Sequence, residues 1–367
     1  MKKTIALALA TLVILSSCAK KEEPKPAAEA PKLKVVLILN GTLGDKSFFD
    51  SAANGMDLVK ADMGDAVETK VIEMGYDQSK WEPTLIDVAE GPWDIVICGT
   101  WQMTEALQKV AKDYPQKRFI IFDTAVDYSL GLANVYSIEY SQNEASFLAG
   151  ALASYVTGSS LPLANKQKVV GFLGGMDIPV INDFLVGYIE GARYVDPAVK
   201  VAISYIGSFD DSAKGKEMAL AQYAQGADIG YNVAGQAGLG QLDAAKDVKR
   251  YAIGVDSDQA AIFATSDPDK AKLITTSVLK RVDNSLLRAI QMHAKGTAPY
   301  GKSETLGFAE KCVGLAKNDI YMQLIPADAR AKLDDIEAKI IAKEIKVGTA
   351  LGMSTEDLNK IRNAVKP

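Results

Sequence analysis

The chain has 367 residues, a formal net charge of −5 and one histidine, with 48% hydrophobic and 24% charged residues. That length suits two domains with a full core each. A mildly acidic balance with no basic block argues against a nucleic-acid partner, and a single histidine argues against Ser-His-Asp catalysis.

Residues 1–17 read as a leader. Met1-Lys2-Lys3 is basic, and Thr4–Leu15 is an apolar run that suits a signal peptide but is too short for a permanent membrane span. Leu15-Ser16-Ser17-Cys18 resembles the bacterial lipobox, whose cysteine is lipidated and becomes the new N-terminus. The alternative is an ordinary signal peptide with an incidental cysteine. The expected location is therefore a membrane surface, anchored by lipid on Cys18 and facing the periplasm or the cell exterior, since nothing later is long and apolar enough to span. Residues 18–32 form a lipidated tether, in which AKKEEPKPAAEAPK has alternating charges, three prolines and no large apolar side chain. Of the remaining cysteines, Cys98 falls inside an apolar strand and reads as a buried thiol, so no disulfide framework is implied.

From Leu33 onward strands alternate with helices. Strands are predicted at 33–39, 67–74, 94–99, 118–122 and 134–138, with helices near 49–62, 80–90 and 103–113 between them. The pattern then restarts, with helices near 143–156, 183–194, 212–225 and 238–247 and strands at 168–173, 200–205, 229–233 and 251–255. A strand at 273–277, a helix at 282–294 and a late charged helix at 327–346 complete it. Such alternation predicts an α/β fold with two doubly wound, parallel lobes and a ligand cleft between them.

The stretch Val35–Met56 is central to the reading. A buried apolar strand runs into the polar loop Asn40-Gly41-Thr42-Leu43-Gly44 and then Asp45-Lys46-Ser47-Phe48-Phe49, which starts a helix. Ligands collect where such loops leave the carboxyl ends of parallel strands. Asn40, Asp45, Lys46 and Ser47 offer hydrogen-bonding groups there, and Phe48 an aromatic face. Comparable groups follow the other strands: Asp123, Asp177 with Phe184, Gly235, Asp256 and Lys280. Aspartates at these positions can also simply cap helices. As a set they suit a flat polar ligand. Two phenyl rings can sandwich a heterocycle, Asp123 can accept from ring N–H or amino groups, and Asp256 with Lys280 can grip vicinal hydroxyls.

Enzyme signatures are missing. The sequence contains no G-x-x-x-x-G-K-[ST], C-x-x-C or H-E-x-x-H. The run Gly235-Gln236-Ala237-Gly238-Leu239-Gly240 does not have the dinucleotide-binding spacing. His293 shares a helix with Leu286, Leu287 and Ile290 and reads as a packed or surface residue. No cofactor, metal or catalytic residue is expected.

Several segments resemble a known family. They include Gly44-Asp45-Lys46-Ser47-Phe48, Phe122-Asp123, the run SQNEASFLAG at 141–150, VGFLGGM at 170–176, Val233-Ala234-Gly235, IGVDSDQ at 253–259 and SVLKRVD at 277–283. In this order and spacing the chain resembles the basic-membrane-protein (BMP) family of PnrA-like purine nucleoside-binding lipoproteins, which deliver ligands to ABC importers. The resemblance covers the whole body after the tether. It implies the type I periplasmic-binding-protein fold with a multi-strand hinge, the lobes comprising 33–138 with 280–306 and 139–279 with 307–367. It also implies a purine nucleoside of the inosine, guanosine or adenosine class, stacked by Phe48 and Phe184, read at its base edge by Asp123, and held at the ribose by Gly235, Asp256 and Lys280. The partners implied are a separate permease and ATPase, and the chain itself is expected to be a monomer. Two departures are evident: Asn40 stands where the family has an aspartate, offering an amide donor, and Phe49 replaces an asparagine and can compete with Phe48. The alternatives are a receptor for another heterocycle or a sugar, a surface-antigen lipoprotein with a vestigial cleft, and a nucleoside-processing enzyme, for which no base or metal cluster is found.

Overall fold

The computed structural model describes residues 32–367. The leader, Cys18 and the tether as far as Pro31 lie outside the described residues.

Elements alternate as expected. The first run is β1 (Leu33–Leu39), α1 (Phe48–Met63), β2 (Val67–Glu73), α2 (Trp81–Glu90), β3 (Ile95–Gly99), α3 (Thr104–Asp113), β4 (Arg118–Phe122) and β5 (Val135–Tyr140). The second is α4 (Gln142–Thr157), β6 (Val169–Gly174), α5 (Pro179–Val195), β7 (Lys200–Tyr205), α6 (Ser212–Ala224), β8 (Ala227–Val233), α7 (Gly235–Val248), β9 (Tyr251–Asp256), the short α8 (Gln259–Phe263) and α9 (Pro268–Ala271), and β10 (Ile274–Lys280). The chain ends with α10 (Val282–Ala294), β11 (Lys302–Leu306), β12 (Val313–Leu315), α11 (Asp319–Leu324), α12 (Ala327–Ile341) and α13 (Thr355–Ala364).

Two six-stranded sheets result. The first has the order β11-β5-β4-β3-β1-β2 with every pair parallel. The second has the order β12-β10-β9-β8-β6-β7, parallel except where β12 runs against β10. Burial on both faces explains the apolar runs. In β1, Val35, Leu37 and Leu39 join one core cluster while Val36 and Ile38 join another on the opposite face. The chain passes between the sheets three times: from β5 into α4, from β10 into α10 (which packs on α1), and from β11 to β12. α4 and α5 pack backbone to backbone. A Cβ on Gly187 would lie 2.1 Å from the Asn143 carbonyl oxygen, and one on Gly191 1.8 Å from that of Phe147, so only glycine permits this approach.

Some details differ from the sequence expectations. α5 begins at Pro179, earlier than its apolar periodicity suggests, because proline is preorganised for the first helical turn. β10 extends to Lys280, which is therefore the last residue of a strand and not part of a following loop. α12 stops at Ile341. Cys98 and Cys312 are free and buried, and burial pushes both thiols up to about 12. His293 is half-buried on α10, with Nδ1 2.9 Å from the Tyr300 hydroxyl, and burial lowers its pKa.

Candidate functional site

The two sheets turn their strand carboxyl ends toward one cavity of about 260 Å³. Segments after β1, β2, β3 and β4 enter it from the first sheet, and segments after β6, β7 and β8, together with the last residues of β9 and β10, from the second. In both sheets strand order reverses here, between β1 and β3 and between β6 and β8, which opens the crevices where parallel sheets bind ligands.

Lys280 is the hub. Its side chain is 4% exposed, and Nζ donates to Asp123 Oδ1 at 2.7 Å and lies 3.9 Å from Asp256 Oδ1. The same ammonium is 4.7 Å from the Phe48 ring centroid and 5.0 Å from that of Phe184. The two ring centroids are therefore no more than about 10 Å apart, and a flat heterocycle stacked between two rings needs about 7 Å of that. Both aspartates stand at strand ends with left-handed backbone, φ 68° at Asp123 and 62° at Asp256, a conformation aspartate tolerates better than most side chains. Burial raises the pKa of each, opposed by Lys280.

The loop after β1 splits into two roles. Asn40, 3% exposed, lines the cavity, and its Nδ2 donates to Thr100 Oγ1 at 2.8 Å while Oδ1 has no partner among the described residues. The amide donor expected from sequence is thus spent, and the free atom is an acceptor. Phe48 turns toward Lys280, whereas Phe49 packs its ring over Gly41 and lies edge-on to Phe48 with centroids 5.3 Å apart. Asp45 lines the cavity but directs its carboxylate to the start of α1, accepting from the backbone N–H groups of Ser47 at 3.0 Å, Phe49 at 2.8 Å and Asp50 at 3.1 Å. Burial outweighs these bonds and pushes its pKa up to about 6. Lys46 and Ser47 do not line the cavity. Lys46 is near Asp50, with 46% of its side chain exposed, and its carbonyl accepts from Gln259 Nε2 at 3.2 Å. Ser47 is buried, and its hydroxyl donates to Asp256 Oδ2.

From the second sheet, Phe184 presents its ring from the second turn of α5, and Gly235 opens α7 with φ 55°, where a side chain would be strained. Asp177 pairs instead with Arg362 at 2.6 Å. Sequence reasoning missed Tyr76, Trp101, Phe209 and Asp210, all lining residues. Trp101 stands 47% exposed. Phe209 and Asp210 follow Gly207 past the end of β7, the same strand-end position that marked the other candidates.

The arrangement provides two aromatic faces, buried charges of both signs and unpartnered acceptors. It has no positioned histidine, and no group of three His, Cys, Asp or Glu side chains among the described residues is set to hold a metal. It can grip a ligand.

Comparison with known proteins gives a consistent picture. The family described as ABC transporter substrate-binding protein PnrA-like matches residues 32–350. Basic membrane protein A1 of Borrelia garinii is 32% identical over 352 residues, covering 94% of this chain and 96% of the relative. The ABC transporter nucleoside-binding protein BmpA of Lactococcus lactis is 29% identical over 358 residues, covering 93% and 99%. Among solved structures, an ABC transporter solute-binding protein of Aeropyrum pernix superposes with a TM-score of 0.75 at 26% identity, over 91% of this chain and 99% of that one.

Proposed function

The chain belongs to the PnrA-like family of ABC transporter substrate-binding proteins, and from that premise we propose that its cavity takes a purine nucleoside. The family role is binding and delivery to a permease and its ATPase, not catalysis, and its members act at the outward face of a membrane. The nucleoside reading rests chiefly on Phe48 and Phe184, whose rings flank one ammonium within a cavity of nucleoside size. A base stacked between them leaves Asp123 at its polar edge and Asp256 and Lys280 for the ribose hydroxyls, with Asn40 Oδ1 as a further acceptor. A relative that carries nucleoside binding in its name supports the same choice. A sugar receptor would have less use for two opposed phenyl rings.

The two lobes, divided by the ends of β5 at Tyr140, β10 at Lys280 and β11 at Leu306, close on the ligand about the three chain crossings. The mature chain is held at the membrane by lipid on Cys18, the reading that the lipobox-like Leu15-Ser16-Ser17-Cys18 supports, and it works as a monomer.

Isothermal titration of protein freed of co-purified ligand by unfolding and refolding, against inosine, guanosine, adenosine, the free bases and ribose, tests the reading. Saturable nucleoside binding without ribose binding is expected. Silence across the panel from folded protein overturns it.

A further inference from the structure

A second chamber of about 220 Å³ opens off the main cavity and shares Trp101, Asp123 and Val180 with it. Its polar walls lack partners. Glu139, at the end of β5, has no hydrogen-bond or ion-pair partner among the described residues, and burial together with the neighbouring Asp123 raises its pKa. Gln142 is 2% exposed. Its Nε2 donates to Asp183 Oδ2 at 2.6 Å, while its buried Oε1 accepts from nothing among the described residues. Asp123 spends Oδ1 on Lys280 and leaves Oδ2 without a partner there. The free atoms of all three groups are acceptors.

Charge points the same way. Lys280 is the only lysine or arginine lining either chamber among the described residues, against Asp123, Asp256, Asp210, Glu139 and Asp45, whose carboxylate is turned to the start of α1. An uncompensated excess of carboxylates in a partly desolvated space favours a positive occupant. Apart from Thr124, the remaining walls, Tyr140, Pro179 and Leu351, are apolar or aromatic and suit a short alkyl stem. The Tyr140 ring already has the Lys280 ammonium 5.9 Å from its centroid, so an incoming cation is left to the Glu139 carboxylate. With no cluster set for a metal ion, the matching chemistry is an alkylammonium.

We propose that this chamber is a specificity subsite that receives a cationic amine carried on the base edge of the nucleoside, with Glu139 as its counter-ion and the Gln142 Oε1 as a second acceptor. The proposal rests on the nucleoside reading, because it is the base edge at Asp123 that faces the shared opening. The subsite makes amine-substituted purine nucleosides better ligands than their neutral isosteres.

The test compares adenosine, N6-propyladenosine and N6-(2-aminoethyl)adenosine by titration calorimetry on the whole protein, then repeats the pair of substituted compounds on Glu139→Gln. The aminoethyl compound is expected to bind at least about tenfold tighter than the propyl compound, the scale of one charge-assisted hydrogen bond. Glu139→Gln is expected to bring that ratio close to one. Equal affinities in the wild type, or binding of adenosine with rejection of both substituted compounds, overturn the subsite while leaving the nucleoside reading intact. Failure of adenosine and every other nucleoside to bind overturns both. A wild-type preference that persists in a folded Glu139→Gln also overturns the assignment. If that variant does not fold, Glu139→Asp, which keeps the charge but shortens its reach, is expected to reduce the ratio, and an unchanged ratio overturns it.

Discussion

Ser47 donates its hydroxyl to Asp256 Oδ2 at 2.5 Å, and the adjoining Ser257 hydroxyl donates back to the Ser47 carbonyl at 3.1 Å. Ser47 follows β1 in the first sheet, while Asp256 ends β9 in the second and Ser257 follows it. These bonds tie the two sides of the cavity together, one of them through the Asp256 carboxylate that lines it. Ser47→Ala is therefore expected to weaken nucleoside binding by roughly tenfold, the worth of a hydrogen bond to a charged group, with little change in thermal midpoint. Titration calorimetry beside a melting curve separates the two effects. An unaltered affinity removes Ser47 from the closing mechanism.

The rings at Phe48 and Phe184 are expected to act through their faces. Phe184 is 1% exposed, so truncation to alanine confounds lost stacking with a core cavity costing about 3–5 kcal/mol. Leucine keeps most of the volume. Phe48→Leu and Phe184→Leu are each expected to weaken nucleosides by about 2- to 10-fold, the range for one aromatic pair, in direct titration. No loss from either change would show that the base lies elsewhere.

Phosphorylation of the ligand should abolish useful binding. The walls of the main cavity bring Asp123, Asp210 and Asp256 against one lysine, and like charges about 4 Å apart repel by about 4 kcal/mol at an effective dielectric constant of 20. Allowing for partial neutralisation by Lys280, nucleoside 5′-monophosphates are expected to bind at least about 100-fold more weakly than the parent nucleosides. Competition calorimetry measures the gap.

Lys280→Met leaves Asp123 and Asp256 buried together without their cation. Stranding buried charges in this way costs about 3–5 kcal/mol. Both carboxyls already titrate above their ordinary range, and the variant should raise them further. The deficit is then expected to be smaller at acid pH, where protonation neutralises the pair, and to grow as pH rises through the folded pKa values. Urea denaturation at pH 5 and pH 7.5 distinguishes this from a uniform loss of packing.

Asp45 offers a separate pH signature. Its folded pKa of about 6 lies above the ordinary 3.8, so its stabilising contribution is fully present below about pH 4 and is lost as pH rises through 6. The stability of the wild type relative to Asp45→Asn is expected to fall across that window, read from melting curves between pH 4 and 7. A constant difference would mean that the three backbone donors at the start of α1 keep the carboxylate ionised throughout.

Much of this architecture could be read from residues 33–280 because parallel strands covered on both faces leave unbroken apolar runs, as Val35–Leu39 does. The strands and helices that escaped carry little such signal. β11, KSETL, is largely exposed at a sheet edge, and α13 buries only Leu358. The site was legible where chemistry followed a strand directly, as at Asp123, Asp256 and Lys280. It was not legible where a side chain's duty depends on three-dimensional neighbours. The sequence cannot tell that Asp45 would turn to the amides of α1, that Ser47 would reach across to Asp256, or that Asn40 would spend its amide on Thr100. Tyr76 and Trp101 lie three and two residues past the ends of β2 and β3, so the strand-end position that marked the other candidates marks them as well.

The left-handed backbone at Asp123 and Asp256 also limits how this cavity can change over generations. Most side chains are disfavoured at φ near +65°, with asparagine the usual exception besides aspartate and glycine. A lineage drifting toward a new ligand can therefore exchange carboxylate for amide at these two positions, or lose the side chain altogether, without remaking the loop. Larger innovations are channelled to neighbours with ordinary backbone, which makes Asn40, Asp210 and Glu139 the freer ground for new specificities.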